Sequence, residues 1–179
     1  GDASGTALMD VRARVWSNEV IFAIDDRIRD CLPGLSSSSE ACGRVRKEIS
    51  EKYGIPASVV VSAGGGDNMM GAIGTGNITQ GLVTLSLGTS GTVCAYSPNS
   101  VVCDSAMVAN FCASHGGWLP LICTMNCTAG TQLMQDLFAT TISQFEASVK
   151  ISAHGAQGVI AVPFFNGERT PNLPSGKAC

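Results

Sequence analysis

The sequence predicts an α/β fold, and three observations carry that expectation. Short β-branched runs, "VVVS" (Val59–Ser62) and "LVTLSL" (Leu82–Leu87), alternate with segments whose apolar residues recur at helical spacing. Apolar residues make up 45% of the 179 and charged residues 14%, a balance that supports a packed core and argues against disorder. No self-similarity recurs at the period of a repeat protein, and no apolar run has the length of a membrane helix.

The elements follow in order. "TALMDVRARVWS" alternates loosely around a polar centre and predicts a short hairpin ending near Trp16. Ser17 is placed to cap a helix carrying Val20, Ile21, Ile24 and Ile28, which "CLPGL" ends. Val45, Ile49 and Tyr53 mark a second helix, with Gly54 at its C-terminal stop and Pro56 just beyond. Val59–Ser62 reads as a buried strand, "GGGD" as a turn, and Asn68–Ile73 as a short helix broken by "GTGN". "LVTLSL", "GTSG" and "TVCAY" form a strand, a tight turn and a returning strand. "ANFCASH" and "WLPLICTM" give another strand pair around "GG". Helices are expected over Thr128–Phe138 and Ser143–Ala153. "GVIAVPFF" reads as an apolar strand before the polar loop "NGERTPNLP".

Composition also excludes functions. The net charge of −3 offers no general attraction to nucleic acid or to an anionic membrane. The cysteines Cys31, Cys42, Cys94, Cys103, Cys112, Cys123, Cys127 and Cys179 contain no C-x-x-C pair. Cys123 and Cys127, with His115 upstream, lack the two closely spaced ligand pairs of a zinc site. Buried free thiols in a reducing cytoplasm are the expectation. The opening "GDASGTALMD" lacks a signal-peptide layout and an initiator Met, and "SGKAC" lacks a natural stop signal. The chain therefore reads as the interior of a longer one.

Two stretches could carry chemistry. In "VVVSAGGGDN" a strand runs into Gly64-Gly65-Gly66, where backbone can approach a ligand without a Cβ in the way. Asp67 then stands at the end of a strand and the start of a helix, where ligands gather in α/β sheets. Its carboxylate has two readings, a helix N-cap or a base that accepts a proton from a hydroxyl. In "SLGTSGT", a turn rich in glycine and hydroxyl residues presents backbone amides suited to a phosphate, or is a plain hairpin turn. A P-loop is excluded because no Lys follows the glycines, and the dinucleotide fingerprint because its glycine spacing is exceeded. Ser90 lacks the second glycine of a nucleophile elbow, since Thr92 stands there. In "GERTP", Arg169 could pair with Glu168, bind phosphate or face solvent.

"GDASGT", "GGGDN", "LSLGTSG" and "F-x-N-GERTPNLP", in that order, resemble the FGGY carbohydrate kinase family over essentially the whole chain, and most closely its members that act on xylulose. The resemblance implies a ribonuclease-H-like, actin-like ATPase fold, present in part. Residues 1–76 would be the C-terminal part of the sugar-binding N-terminal domain, and residues 77–179 the beginning of the ATP-binding C-terminal domain. It implies ATP-dependent phosphorylation of a sugar hydroxyl, D-xylulose to D-xylulose 5-phosphate, by the intact enzyme. This chain alone would be inactive. Another sugar or polyol kinase of the family, or a non-catalytic actin-like ATP-binding module, is the alternative. Asp67 would be the catalytic base, and Asn68 beside it would contact the sugar. Gly88, Thr89, Ser90 and Gly91 would face the ATP phosphates, and Gly130 would lie near the nucleotide. Implied cofactors are ATP and Mg²⁺, and implied partners are the sugar and ATP, with no nucleic acid and no membrane. A cytoplasmic location and a homodimer of the intact enzyme are also expected.

Overall fold

The structure is a computed structural model that describes residues 1–101, 107–165 and 167–178. Helices and strands are mixed along the chain, as expected of an α/β protein. The chain divides into two compact units. The first is built on Gly1–Thr84, a segment opening at Cys94, and Ala109–Leu121. The second is built on Leu85–Val93 and the chain from Ile122 onward.

In the first unit, β1 (Met9–Asp10) and β2 (Val15–Trp16) form the expected hairpin, pairing Met9 with Trp16. The Ser17 hydroxyl accepts the Val20 N–H and starts α1 (Asn18–Ile24). Replacing Ser17 by alanine leaves that amide without its cap, and a loss of about 1 kcal/mol in urea unfolding is expected. Helix α1 stops earlier than the spacing of Ile24 and Ile28 implies. Asp25 adopts an extended backbone, its carboxylate accepts the Arg27 N–H at 3.0 Å, and residues Asp26–Cys31 wind as a separate 3₁₀ turn. The Arg27 guanidinium on Asp25, 2.5 Å away, also holds that carboxyl below the usual range.

Strand β3 (Ala41–Arg44) has no counterpart in the sequence reading. It pairs antiparallel with β4 (Val60–Ser62) through an irregular register between Ala41 and Gly43. Helix α2 (Lys47–Tyr53) lies between them and ends at Gly54, whose φ of 67° is the left-handed stop that glycine provides cheaply. The expected burial of β4 is not found. Val60 is 54% exposed and Val61 47%, because among the described residues β4 has β3 as its only hydrogen-bonded strand.

Helix α3 (Asp67–Gly74) buries Met69 and Ala72. Beyond it Asn77, 1% exposed, donates to Thr84 Oγ1 at 3.1 Å and to the Cys94 carbonyl at 3.0 Å. It also accepts the Tyr96 N–H at 3.1 Å. Every polar atom of this buried amide is thereby used.

Strands β5 (Val83–Leu87), β6 (Gly91–Ala95), β7 (Ala109–Cys112) and β8 (Trp118–Thr124) form one sheet in the order β5-β6-β8-β7. β7 and β8 are the expected antiparallel pair, with Phe111 opposite Leu119. In the first unit Ile21 and Leu119 are almost fully buried, and Arg14 lies 4.6 Å over the Trp118 ring while donating to the Gly117 carbonyl.

The second unit contains α4 (Thr128–Leu137) and α5 (Ile142–Ile151). Thr141 and Gln144 close a capping box at the start of α5. The apolar run 158–165 is a strand only at β9 (Pro163–Phe164), which pairs with β10 (Lys177–Ala178). Val159 and Ile160 are exposed, at 74% and 82%.

The cysteines depart from their expected burial. Cys94 and Cys112 are buried, and burial raises both thiols above their ordinary value. Cys31 and Cys42 are exposed on short elements, and Cys123 and Cys127 are half-buried. All six are unpaired, while Cys103 and Cys179 lie outside the described residues.

Candidate functional site

The candidate residues fall in two places, one in each unit. In the first unit, β4 delivers the chain to the three glycines. Gly64 adopts φ 72°, which a side chain resists. A Cβ on Gly65 would run into Ser114 Oγ and the Met70 methyl. A Cβ on Gly66 would lie 3.0 Å from Asp2 Oδ1 and 3.2 Å from Met69 Sδ. The glycines thus let backbone pack closely against Asp2, Met69, Met70 and Ser114 of this chain.

Gly66 is the N-cap residue of α3, and Asp67 is the first residue inside the helix. Asp67 is exposed, and its Oδ1 accepts the Asn68 N–H at 2.8 Å and the Asn68 side-chain amide at 3.4 Å. Among the described residues its donors are those of Asn68 alone, not the amides two or three residues into the helix that an N-capping carboxylate accepts. The helix start favours its negative charge. The arrangement is a carboxylate held by its neighbour and open to a ligand. Asp2, whose carboxylate reaches the same helix start, carried no sequence signal of its own beyond its place in "GDASGT".

In the second unit the turn Gly88–Ser90 is exposed and Gly91 is buried. The Gly88 N–H is spent on the Ser90 carbonyl at 3.1 Å. The turn's carbonyls sit on the start of α4. Cys127 N donates to Thr89 O at 3.3 Å, and Thr128 donates to Gly88 O through N at 3.0 Å and Oγ1 at 2.8 Å. Gly91 permits this approach, since a Cβ there would stand 2.9 Å from Thr124 Cγ2. A cavity of about 620 Å³ opens beside the turn, lined by Thr89, Asn126, Thr128, Gly130, Gln132 and Asp136 among others. A second cavity of about 470 Å³ is apolar and is bounded by Gly130, Met134, Val162 and Phe165. Gly130 is buried in α4, borders both cavities, and leaves room for Pro163 at 3.5 Å from where its Cβ would be.

The sequence left Glu168 open as a partner for the Arg169 guanidinium; in the structure it is 3% exposed and faces Thr124–Asn126. It accepts Thr124 Oγ1 and Met125 N, each at 2.5 Å, Asn126 Nδ2 at 3.0 Å and Arg169 N at 2.7 Å. Burial pushes its carboxyl up. These hydrogen bonds outweigh that and hold it at about 2. The Arg169 guanidinium instead donates to Cys123 Sγ at 3.3 Å. Asn166, in the same motif, lies outside the described residues.

The donor sets of the two places differ in what they fit. The turn and cavity of the second unit have the size and the mixed polar and apolar lining of a small-molecule site, which suits a nucleotide. They do not assemble a cation site. Among the described residues no three His, Cys, Asp or Glu side chains come together.

Comparison with known proteins gives this arrangement a family. Residues 1–74 match the N-terminal domain of the FGGY family of carbohydrate kinases. The chain is similar to members of that family over nearly its whole length. Its relatives include the xylulose kinase of Haemophilus influenzae, 45% identical across 99% of this chain and 36% of that protein. The xylulose kinase of Klebsiella pneumoniae is 34% identical across 98% of this chain and 37% of its own. The crystal structure of xylulose kinase from Bifidobacterium adolescentis superposes with a TM-score of 0.82 at 28% identity, over 99% of this chain and 37% of that one. The fold is that of the actin-like ATPases. The chain spans a little over a third of the length of these relatives. Among the described residues no helix is long and apolar enough to cross a membrane.

Proposed function

We propose that this chain supplies the hydroxyl-activating acid and the phosphate-facing turn of an ATP-dependent sugar kinase whose acceptor is D-xylulose. One observation carries the reading: Asp67 opens helix α3 directly after a glycine turn, with its carboxylate exposed and held by Asn68. Residues 1–76 then belong to the sugar-binding domain and residues 77–179 begin the ATP-binding domain.

The reaction needs positioning and charge stabilisation more than covalent help. Asp67 orients a sugar hydroxyl and takes its proton as the hydroxyl oxygen attacks the γ-phosphorus and ADP leaves. Asn68 holds a neighbouring sugar oxygen. On the nucleotide side, the amides of Thr89 and Ser90 are turned to the phosphates, because the Gly88 amide and the turn's carbonyls are already committed. Gly130 lets the nucleotide approach α4 closely. Mg²⁺, when present, offsets phosphate charge. A Mg²⁺ ion of this kind is held largely by the phosphates themselves, and would arrive on the nucleotide.

A non-catalytic ATP-binding module would use the turn but not the Asp67 corner. The two separate in a coupled ADP-release assay on the chain completed to the length of its relatives, run across a panel of sugars and polyols. D-xylulose is expected to give the highest kcat/KM. An ADP release that no sugar increases would remove the kinase reading.

A further inference from the structure

Three consecutive residues at the end of β8, Thr124 to Asn126, are held by one carboxylate. Glu168 accepts from the Thr124 hydroxyl, the Met125 N–H and both nitrogens of Asn126, and Asn126 Nδ2 also donates to the Gly167 carbonyl at 2.7 Å. The next two residues, Cys127 and Thr128, carry the turn, holding Thr89 O and Gly88 O. No other side chain among the described residues links the 167–173 segment to Thr124–Asn126 as extensively.

We propose that Glu168 is a positioning residue for the Gly88–Ser90 turn: by clamping Thr124–Asn126 it sets where Cys127 and Thr128 hold Gly88 and Thr89. If Glu168 served only its own loop, its partners would come from that loop. The reciprocal backbone bonds between Glu168 and Leu173, at 2.8 and 2.9 Å, already close the loop without the side chain. Apart from the Arg169 N–H at 2.7 Å, the carboxylate's donors stand in a segment more than forty residues earlier. Asn126 lines the larger cavity, so the clamp also fixes one wall of it. In naming ATP as the ligand the inference rests on the kinase reading. The clamp itself does not.

The test measures backbone amide exchange by NMR on this chain, together with an ATP titration followed by the Thr89 and Ser90 amide shifts. Glu168→Gln replaces an accepting oxygen with a donating amide that faces other donors. It is expected to speed exchange at Cys127 and Thr128 and to weaken ATP binding, each by about 10-fold, while α5 (Ile142–Ile151) exchanges as before. A general loss of stability would speed exchange everywhere. Thr124→Val removes one bond to Glu168 and keeps the methyl against Gly91. It is expected to give a smaller rise at the same two amides, and it decides the matter if Glu168→Gln unfolds the chain. Unchanged exchange at Cys127 and Thr128 in both folded variants overturns the inference, as does unchanged exchange in Thr124→Val with Glu168→Gln unfolded. Faster exchange at those amides with no ATP-induced shift in the parent chain leaves the clamp standing and removes the nucleotide reading instead.

Discussion

Asp67→Ala, in a chain completed to the length of its xylulose kinase relatives, is expected to lower kcat by about 10²–10⁴-fold, the contribution of a positioned general base. KM for the sugar moves less. Taking a proton matters most as the hydroxyl attacks, whereas ground-state contacts such as that of Asn68 persist without it. Asp67→Asn is the sharper variant. It keeps the size of the side chain and can still accept the Asn68 N–H, seen at 2.8 Å, but it cannot take up a proton. Asparagine and alanine are therefore expected to lose kcat alike. If the role of Asp67 were to start helix α3, asparagine would restore most of it, since an amide oxygen caps nearly as well as a carboxylate. Steady-state kinetics of the two variants beside their thermal unfolding separates the roles, and near-normal kcat in Asp67→Asn would end the case for a base.

The second large effect is on stability in acid. Glu168 falls from its ordinary 4.5 to about 2 in the folded protein, because four kinds of donor favour the charged form against the opposing cost of burial. A carboxyl depressed by folding stabilises above its unfolded value and loses that contribution as pH falls through the folded one. The window runs from about 4.5 down to about 2. The full difference corresponds to roughly 3 kcal/mol at neutral pH. Urea unfolding of this chain at steps from pH 6 to pH 2 is expected to show a decline that Glu168→Gln flattens, with the variant less stable at pH 6. Parallel curves would show that other carboxyls govern acid unfolding.

The two effects meet differently with what the sequence could reveal. The placement of Asp67 at a helix start was legible because its signal is local: a β-branched run, glycines, an acid and a helix start, all within a dozen residues. The turn Gly88–Ser90 was legible for the same reason. Ser17 and Gly54 announced their helix ends through residue chemistry alone. Glu168 was hidden because its partners stand at Thr124–Asn126, and nothing in "GERTP" says which distant donors a buried carboxylate will meet. Strand β3 was hidden because "ACGR" has neither alternation nor β-branched residues. Its pairing with β4 makes it a strand. The run 158–165 misled in the opposite direction. Its apolar residues have strand propensity, but among the described residues the run pairs with another strand at Pro163 and Phe164, with an isolated bridge at Phe165. Asp25 ended α1 early by capping the next turn with a side chain that periodicity ignores. The role of the glycines also changed. Gly65 and Gly66 are needed where the corner meets Ser114 and Asp2, an intramolecular demand present before any sugar arrives.

The β3–β4 ribbon has a practical side. Among the described residues its two strands pair only with each other, and with Val59, Val60 and Val61 all more than 40% exposed they offer backbone and aliphatic surface to any passing chain. Such ribbons template unwanted pairing. In concentrated solution the 179-residue polypeptide would then be limited by colloidal behaviour before thermal stability, and a lysine at position 60, outside both candidate sites, is a rational first change for keeping it monodisperse.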